Sequence, residues 1–274
     1  MTSDDKLAKR LYKRSKREGF KCSLDVHTIY DASDALSGEF GILGLGPAGT
    51  TAFRGVFPPD AFDFSTACPA CGLGAAPVKP HLLSERSVRC SANFYDGQQG
   101  TSWPLMRSEI GRAIVEATGQ LWCMRHPVTR SGRIIKEWME PVPCATMPPL
   151  SSKSRGVMYG KSLSSSSVGE GPEEIAPCRV CHRAAWCRSF DRPLRLVYPR
   201  EAVEAARHHA VVMMYEPFES MPEFDPVKRK YTSYYGMPNL LFNKKAIEVL
   251  LDYIVFMDDE HVRDTAYIQP VFSE

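Results

Sequence analysis

Two short motifs carry the chemistry that can be read from this sequence: Cys68-Pro-Ala-Cys71-Gly72 and Cys178-Arg-Val-Cys181-His182. Two intervening residues let both thiolates of a motif reach one ion at about 2.3 Å, and a glycine just after gives the tight turn. Four such thiolates close a tetrahedral zinc site and leave no position for water. The ion expected at Cys68, Cys71, Cys178 and Cys181 is therefore a structural Zn2+ that does no chemistry. With 106 residues between Cys71 and Cys178, one shared ion requires the two halves of the chain to be brought together. Two separate knuckles are the alternative. His182 and Cys187 are spare ligands beside the second motif. The chain has nine cysteines, and in a reducing compartment clustered cysteines read as metal ligands before disulfides. Cys22, Cys90, Cys123 and Cys144 stand singly and read as small buried hydrophobes.

Other motifs fail on their context. Pro177-Cys178-Arg-Val-Cys181 matches half of the zinc-deaminase signature, but nowhere does a His or Cys stand two residues before a Glu. Gly44-Leu-Gly46-Pro-Ala-Gly49 fits the dinucleotide-binding pattern. It is preceded by a poor strand at Ser37–Phe40 and followed by Gly55, Pro58 and Pro59 where a helix is required, so it reads as a loop. His126, His208 and His209 have no triad partners nearby. No catalytic residues are expected, and the chain does not read as an enzyme.

Periodicity outlines the elements around the cysteines. Ile110, Ala113, Ile114 and Ala117 predict a helix over Met106–Thr118, with Ser108 as N-cap and Gly119 as C-cap. A second helix is expected over Asn243–Asp252 with Asn243 as its cap. Gln120–Arg125, Arg133–Glu140, Arg195–Tyr198, Ala210–Tyr215, Tyr253–Met257 and Thr265–Phe272 read as strands, and Gly41 to Pro59 reads as loop with short extended pieces. Residues 144–177 hold eight serines and four glycines and read as a linker. Pro104 and Pro238 each lead through apolar residues to a helix and then a strand, which suggests an internal duplication. The expected fold class is α+β: two similar lobes of short antiparallel strands with a few helices, joined by the Ser/Gly-rich linker around a CxxC/CxxC zinc site. Its parts are a basic arm (1–22), a first lobe (23–147), a linker (148–177) and a second lobe (178–274).

The net charge of +2 is unevenly spread. Residues 1–22 hold eight Lys or Arg against three acids, net +5, so the remainder carries −3. Such an arm suits an acidic partner or nucleic acid, though only Tyr12 and Phe20 stand among its basic residues for base stacking. No apolar run approaches a membrane span, and the N-terminus has no apolar core of a secretory signal, so a cytoplasmic location is expected.

Two distant CxxC motifs, a linker, and repeated modules of proline, apolar pair, cap, helix and strand resemble the double-CxxCG family abundant in myxobacteria. The resemblance covers Ala67 to the C-terminus. The first motif fits as Cys68-Pro-Ala-Cys71-Gly72, whereas His182 stands where the family has Gly. The resemblance implies a non-catalytic α+β protein of the immunity type that binds and neutralises a cognate protein toxin. The expected partner-binding segment is 215–235, with three Glu, one Asp and six aromatics. Tyr215, Glu216, Phe218, Glu219 and Glu223 are the interface candidates, since aromatic anchors rimmed by charge suit an interface. A loop packed on its own domain is the other reading of that segment. A zinc-ribbon nucleic-acid binder using the basic arm is the competing function.

Overall fold

The strand Val211–Pro217 decides the architecture. Val211 and Met213 point to one face, Val212 and Met214 to the other, and all four are buried. A strand apolar on both faces needs a covering layer on each side. The computed structural model describes residues 32–45, 56–58, 60–84, 93–96, 103–162, 173–188, 194–218, 220–234, 236–254 and 266–274.

The strands that build the main layers are numbered here in chain order: β1 (Phe40–Leu45), β2 (Phe94–Asp96), β3 (Pro104–Arg107), β4 (Met124–Arg125), β5 (Trp138–Pro141), β6 (Leu196–Tyr198), β7 (Val211–Pro217), β8 (Glu223–Asp225), β9 (Lys230–Ser233), β10 (Pro238–Asn243) and β11 (Ala266–Ser273). The helices are α1 (Ala32–Leu36), α2 (Ser108–Thr118), α3 (Arg200–Ala206) and α4 (Lys244–Leu251). The larger sheet has five strands in the order β6-β11-β1-β10-β7, antiparallel except for β6 beside β11. A four-stranded antiparallel sheet runs β2-β3-β5-β4. The mixture is α+β, and no helix among the described residues is long and apolar enough to cross a membrane.

Each face of the five-stranded sheet has its own core. Leu43, Val211, Met213, Leu240, Phe242 and Ile268 pack with α4, with α2 and with Met106 and Met139 of the smaller sheet. Phe40, Ile42, Val212, Met214, Leu241 and Val271 pack on the opposite side with Met147, Leu150, Trp186 and α3. The two longer helices pack on one another. Asn243 caps α4 as expected, its Oδ1 accepting from the Ala246 N–H at 3.0 Å. Gly119 ends α2 in the left-handed conformation, donating to Val115 O. Ser108 is the first helical residue and no cap: its hydroxyl donates to Lys136 O in the next layer.

Several sequence expectations change here. The stretch from Gly41, read as loop, contains the central strand β1, hydrogen-bonded on both sides. Gly41 belongs there because a Cβ would stand 2.6 Å from Ile268 Cγ2 and 3.0 Å from Ile247 Cδ1. Leu121–Cys123 forms a 3-10 turn before β4, and of Arg133–Glu140 only its last residues reach a strand, β5. Thr265–Phe272 corresponds to β11, while Tyr253–Met257 mostly lies outside the described residues.

The halves also interleave instead of forming two separate lobes, because β1 sits between β10 and β11 of the second half. The strand–helix unit does recur, as β3–α2 and β10–α4. Both ends of the expected 148–177 linker are structured. Leu150 and Ser151 are buried, Val157–Tyr159 pairs with Trp186–Arg188, and Lys161–Ser162 pairs with Glu173–Glu174. Residues 163–172, like the basic arm 1–22, lie outside the described residues.

Candidate metal centre

Both knuckles fold by the same local hydrogen bonds. Gly72 N–H donates to Cys68 O at 2.8 Å and Cys68 N–H to Leu73 O at 3.0 Å. His182 N–H donates to Cys178 O at 2.9 Å and Cys178 N–H to Arg183 O at 2.9 Å. Closing this turn takes a positive φ at its fifth residue, and Gly72 (71°) and His182 (58°) both supply it. The first knuckle is carried by the ladder of Phe62–Asp63 with Ala76–Pro77. The second stands between Glu173–Glu174 and Trp186–Arg188.

The fold brings the four expected sulfurs into one cluster, all within 4.8 Å of one another. Cys68 Sγ lies 3.7 Å from Cys178 Sγ, and Cys71 Sγ 3.6 Å from Cys181 Sγ. These are not disulfides, which would need about 2.05 Å. Four sulfurs each at about 2.3 Å from a central ion stand about 3.8 Å apart, so the observed separations fit a tetrahedral four-thiolate site. Cys71 and Cys178 are buried and Cys68 and Cys181 half-buried, with Leu73 and Met221 packed beside them. Burial pushes the Cys71 and Cys181 thiols up. Burial acts on Cys178 too, but the N–H groups of Cys181 and Val180 and the neighbouring thiols bring it down to about 7.

Aromatic residues wall the first knuckle. Tyr231 OH donates to Gly72 O at 2.6 Å, and a Cβ on Gly72 would stand 2.7 Å from the Phe224 ring and 2.9 Å from that of Tyr231. Phe64, Phe224 and Tyr231 stack and tilt against one another at centroid distances of 5.1 to 5.8 Å. On the other knuckle, Arg183 lays its guanidinium over the Tyr215 ring at 4.0 Å.

This geometry corrects the proposed interface. Glu216 is only 4% exposed, and its carboxylate accepts the Leu150 N–H at 2.7 Å. Burial pushes its pKa up to about 7, against the pull of that N–H and of Arg183. Phe218 rests on Trp186 and Tyr215 under Arg183, both half-buried, and Glu219 lies outside the described residues. Of the candidates, Glu223 alone is exposed among the described residues. Tyr215, Phe218, Phe224, Tyr231 and Tyr234 are all buried or half-buried, so the segment's described aromatics wall the knuckle and the sheet.

The remaining expected ligands stay apart from the cluster. Cys187 is buried opposite Met158, and His182 is exposed. Cys123 is buried and Cys144 half-buried, while Cys22 and Cys90 lie outside the described residues. A polar network escaped sequence reading. Buried Glu140 accepts from the His81 backbone N–H at 3.0 Å and pairs with His81 Nδ1 and Arg125 Nε. Arg125 donates onward to Pro77 O and Lys79 O at 3.1 and 2.6 Å, tying the strand that leaves the first knuckle to β4 and β5. No spacing signals it, because Glu140 is 59 residues from His81.

No protein-family model, no curated protein and no solved structure matches the chain.

Proposed function

We propose that Cys68, Cys71, Cys178 and Cys181 hold one structural Zn2+, and that the protein is a non-catalytic binding protein of the immunity type that captures a cognate toxin. The observation that carries the first part is the spacing of the sulfurs, 3.6 and 3.7 Å between knuckles 110 residues apart in sequence. Four thiolates fill the coordination sphere, so the ion holds structure and has no open position for chemistry.

The support for a binding role lies in what the ion would brace. The hairpin β8–β9 leans on the first knuckle through Tyr231 and Phe224, while its outer side carries exposed Glu223 and, at its tip, Val227, 90% exposed. An apolar tip beside a carboxylate on a rigid support is the kind of feature a partner protein engages.

Elemental analysis of purified protein tests the metal, with about one zinc per chain expected. Co-expression with the product of the adjacent gene tests the role. Rescue of growth, lost on replacing Val227 with Asp and Glu223 with Lys, supports it. A harmless adjacent product, or rescue unaffected by those changes, overturns it.

A further inference from the structure

The larger sheet ends at β6, and the segment Ser151–Arg155 is laid along that edge. Arg155 and Arg195 face each other there as a hydrogen-bonded antiparallel pair, with N–H···O distances of 2.9 Å in both directions. Residues so paired sit about 5.5 Å apart at Cα with their side chains on the same face. Two like charges in that arrangement repel. The carboxylate of Glu274 in the same lining is bonded elsewhere. Glu274 gives one oxygen to the Ser151 hydroxyl and the other to Lys153 Nζ at 2.9 Å. Arg195 instead lies over the Phe272 ring at 4.4 Å. Among the described residues neither arginine has an acidic partner.

These side chains line a groove of about 570 Å³, with Ser152, Lys153, Ser154, Val197, Ser273 and Glu274 completing it. Two forked guanidinium groups with no carboxylate bonded to either, at the mouth of a hydroxyl-lined groove, match a dianion with three terminal oxygens. A carboxylate has one charge and two oxygens and satisfies one fork. The volume is that of a small-molecule site and exceeds what a bare phosphate fills. We propose that this groove binds the phosphate group of an organic phosphate monoester, held between Arg155 and Arg195, with the ester's organic part lying along the groove toward Ser273.

Calorimetric titration with phenyl phosphate, inorganic phosphate and benzoate tests this on the full chain, with circular dichroism confirming the fold of each variant. Phenyl phosphate is expected to bind saturably in the millimolar range or better, more tightly than inorganic phosphate, and benzoate weakly. Losing a charge-assisted hydrogen-bond pair costs tenfold or more in affinity, so Arg155→Gln weakens phenyl phosphate by about tenfold. Glu274→Gln acts in the opposite direction, strengthening it by removing the negative charge of a side chain that lines the groove. The proposal is overturned if phenyl phosphate shows no saturable binding or if Arg155→Gln binds it as well as the parent does. Benzoate binding equally well, or inorganic phosphate matching the ester, also overturns it.

Discussion

Gly72 and His182 occupy the same place in two copies of one turn. Each donates its N–H to the carbonyl of the cysteine four residues before it, at 2.8 and 2.9 Å, and each does so with a positive φ. Left-handed backbone is strained for a residue with a Cβ, by roughly 1–2 kcal/mol. The two positions should therefore respond oppositely. His182→Gly is expected to stabilise the protein by about 1 kcal/mol. Gly72→Ala destabilises it, because a Cβ there meets the Phe224 and Tyr231 rings below 3.0 Å. Denaturant midpoints of the two variants check both signs.

Stripping the metal should cost more than any single contact. Binding energy at structural zinc sites is folding energy, on the order of 10 kcal/mol in small peptides. A strong chelator, or Cys68→Ser, is expected to lower the melting temperature and expose the hairpin β8–β9 to protease. Protection of that hairpin in metal-free protein would contradict the bracing role given to the knuckle.

Buried Glu216 ties stability to pH. Burial raises its pKa from the ordinary 4.5 to about 7, so the folded state holds a proton that the unfolded chain has released. Its contribution is fully present below pH 4.5 and is lost as pH rises through about 7. The loss is on the order of 3 kcal/mol. Zinc ligation has the opposite pH dependence, so the measurement is a difference. Relative to wild type, Glu216→Gln should gain stability between pH 5 and pH 8. Parallel curves for the two proteins would refute it.

Glu140 behaves in the reverse sense. Burial would raise its pKa, but His81 and Arg125 outweigh burial and hold the carboxyl below the usual carboxylate range. Its contribution is present above the unfolded value and is lost as pH falls through the folded one. Glu140→Ala leaves His81 and Arg125 without their partner and is expected to cost about 3–5 kcal/mol. Chemical denaturation at pH 7 measures it.

The members of the four-cysteine cluster were legible in the sequence because each knuckle is local: a cysteine, two residues, a cysteine and a turn. The Asn243 cap and the Gly119 stop were legible for the same reason, their partners lying three and four residues away. What was not legible depends on distant partners. Glu216 reads as surface charge until the Leu150 N–H, 66 residues off, is placed beside it. Gly41 reads as loop until Ile268 and Ile247 close on it from β11 and α4. The sequence left the aromatics of 215–235 open between an interface and a loop packed on its own domain, because a wall around a knuckle and an interface draw on the same residue types.

The threading of β1 has a consequence for how the chain is made. A ribosome releases Phe40–Leu45 long before it has synthesised the two strands that must flank it, which begin at Pro238 and Ala266. Cys68 and Cys71 likewise wait for Cys178 and Cys181. Neither sheet edge nor thiol pair can be satisfied by what has already emerged, so the apolar strand and half of the cysteine cluster wait for the end of synthesis. A fold whose central strand waits for its last-made neighbours closes late, and during that interval the exposed apolar strand and the unpaired thiols are what chaperones would have to shield.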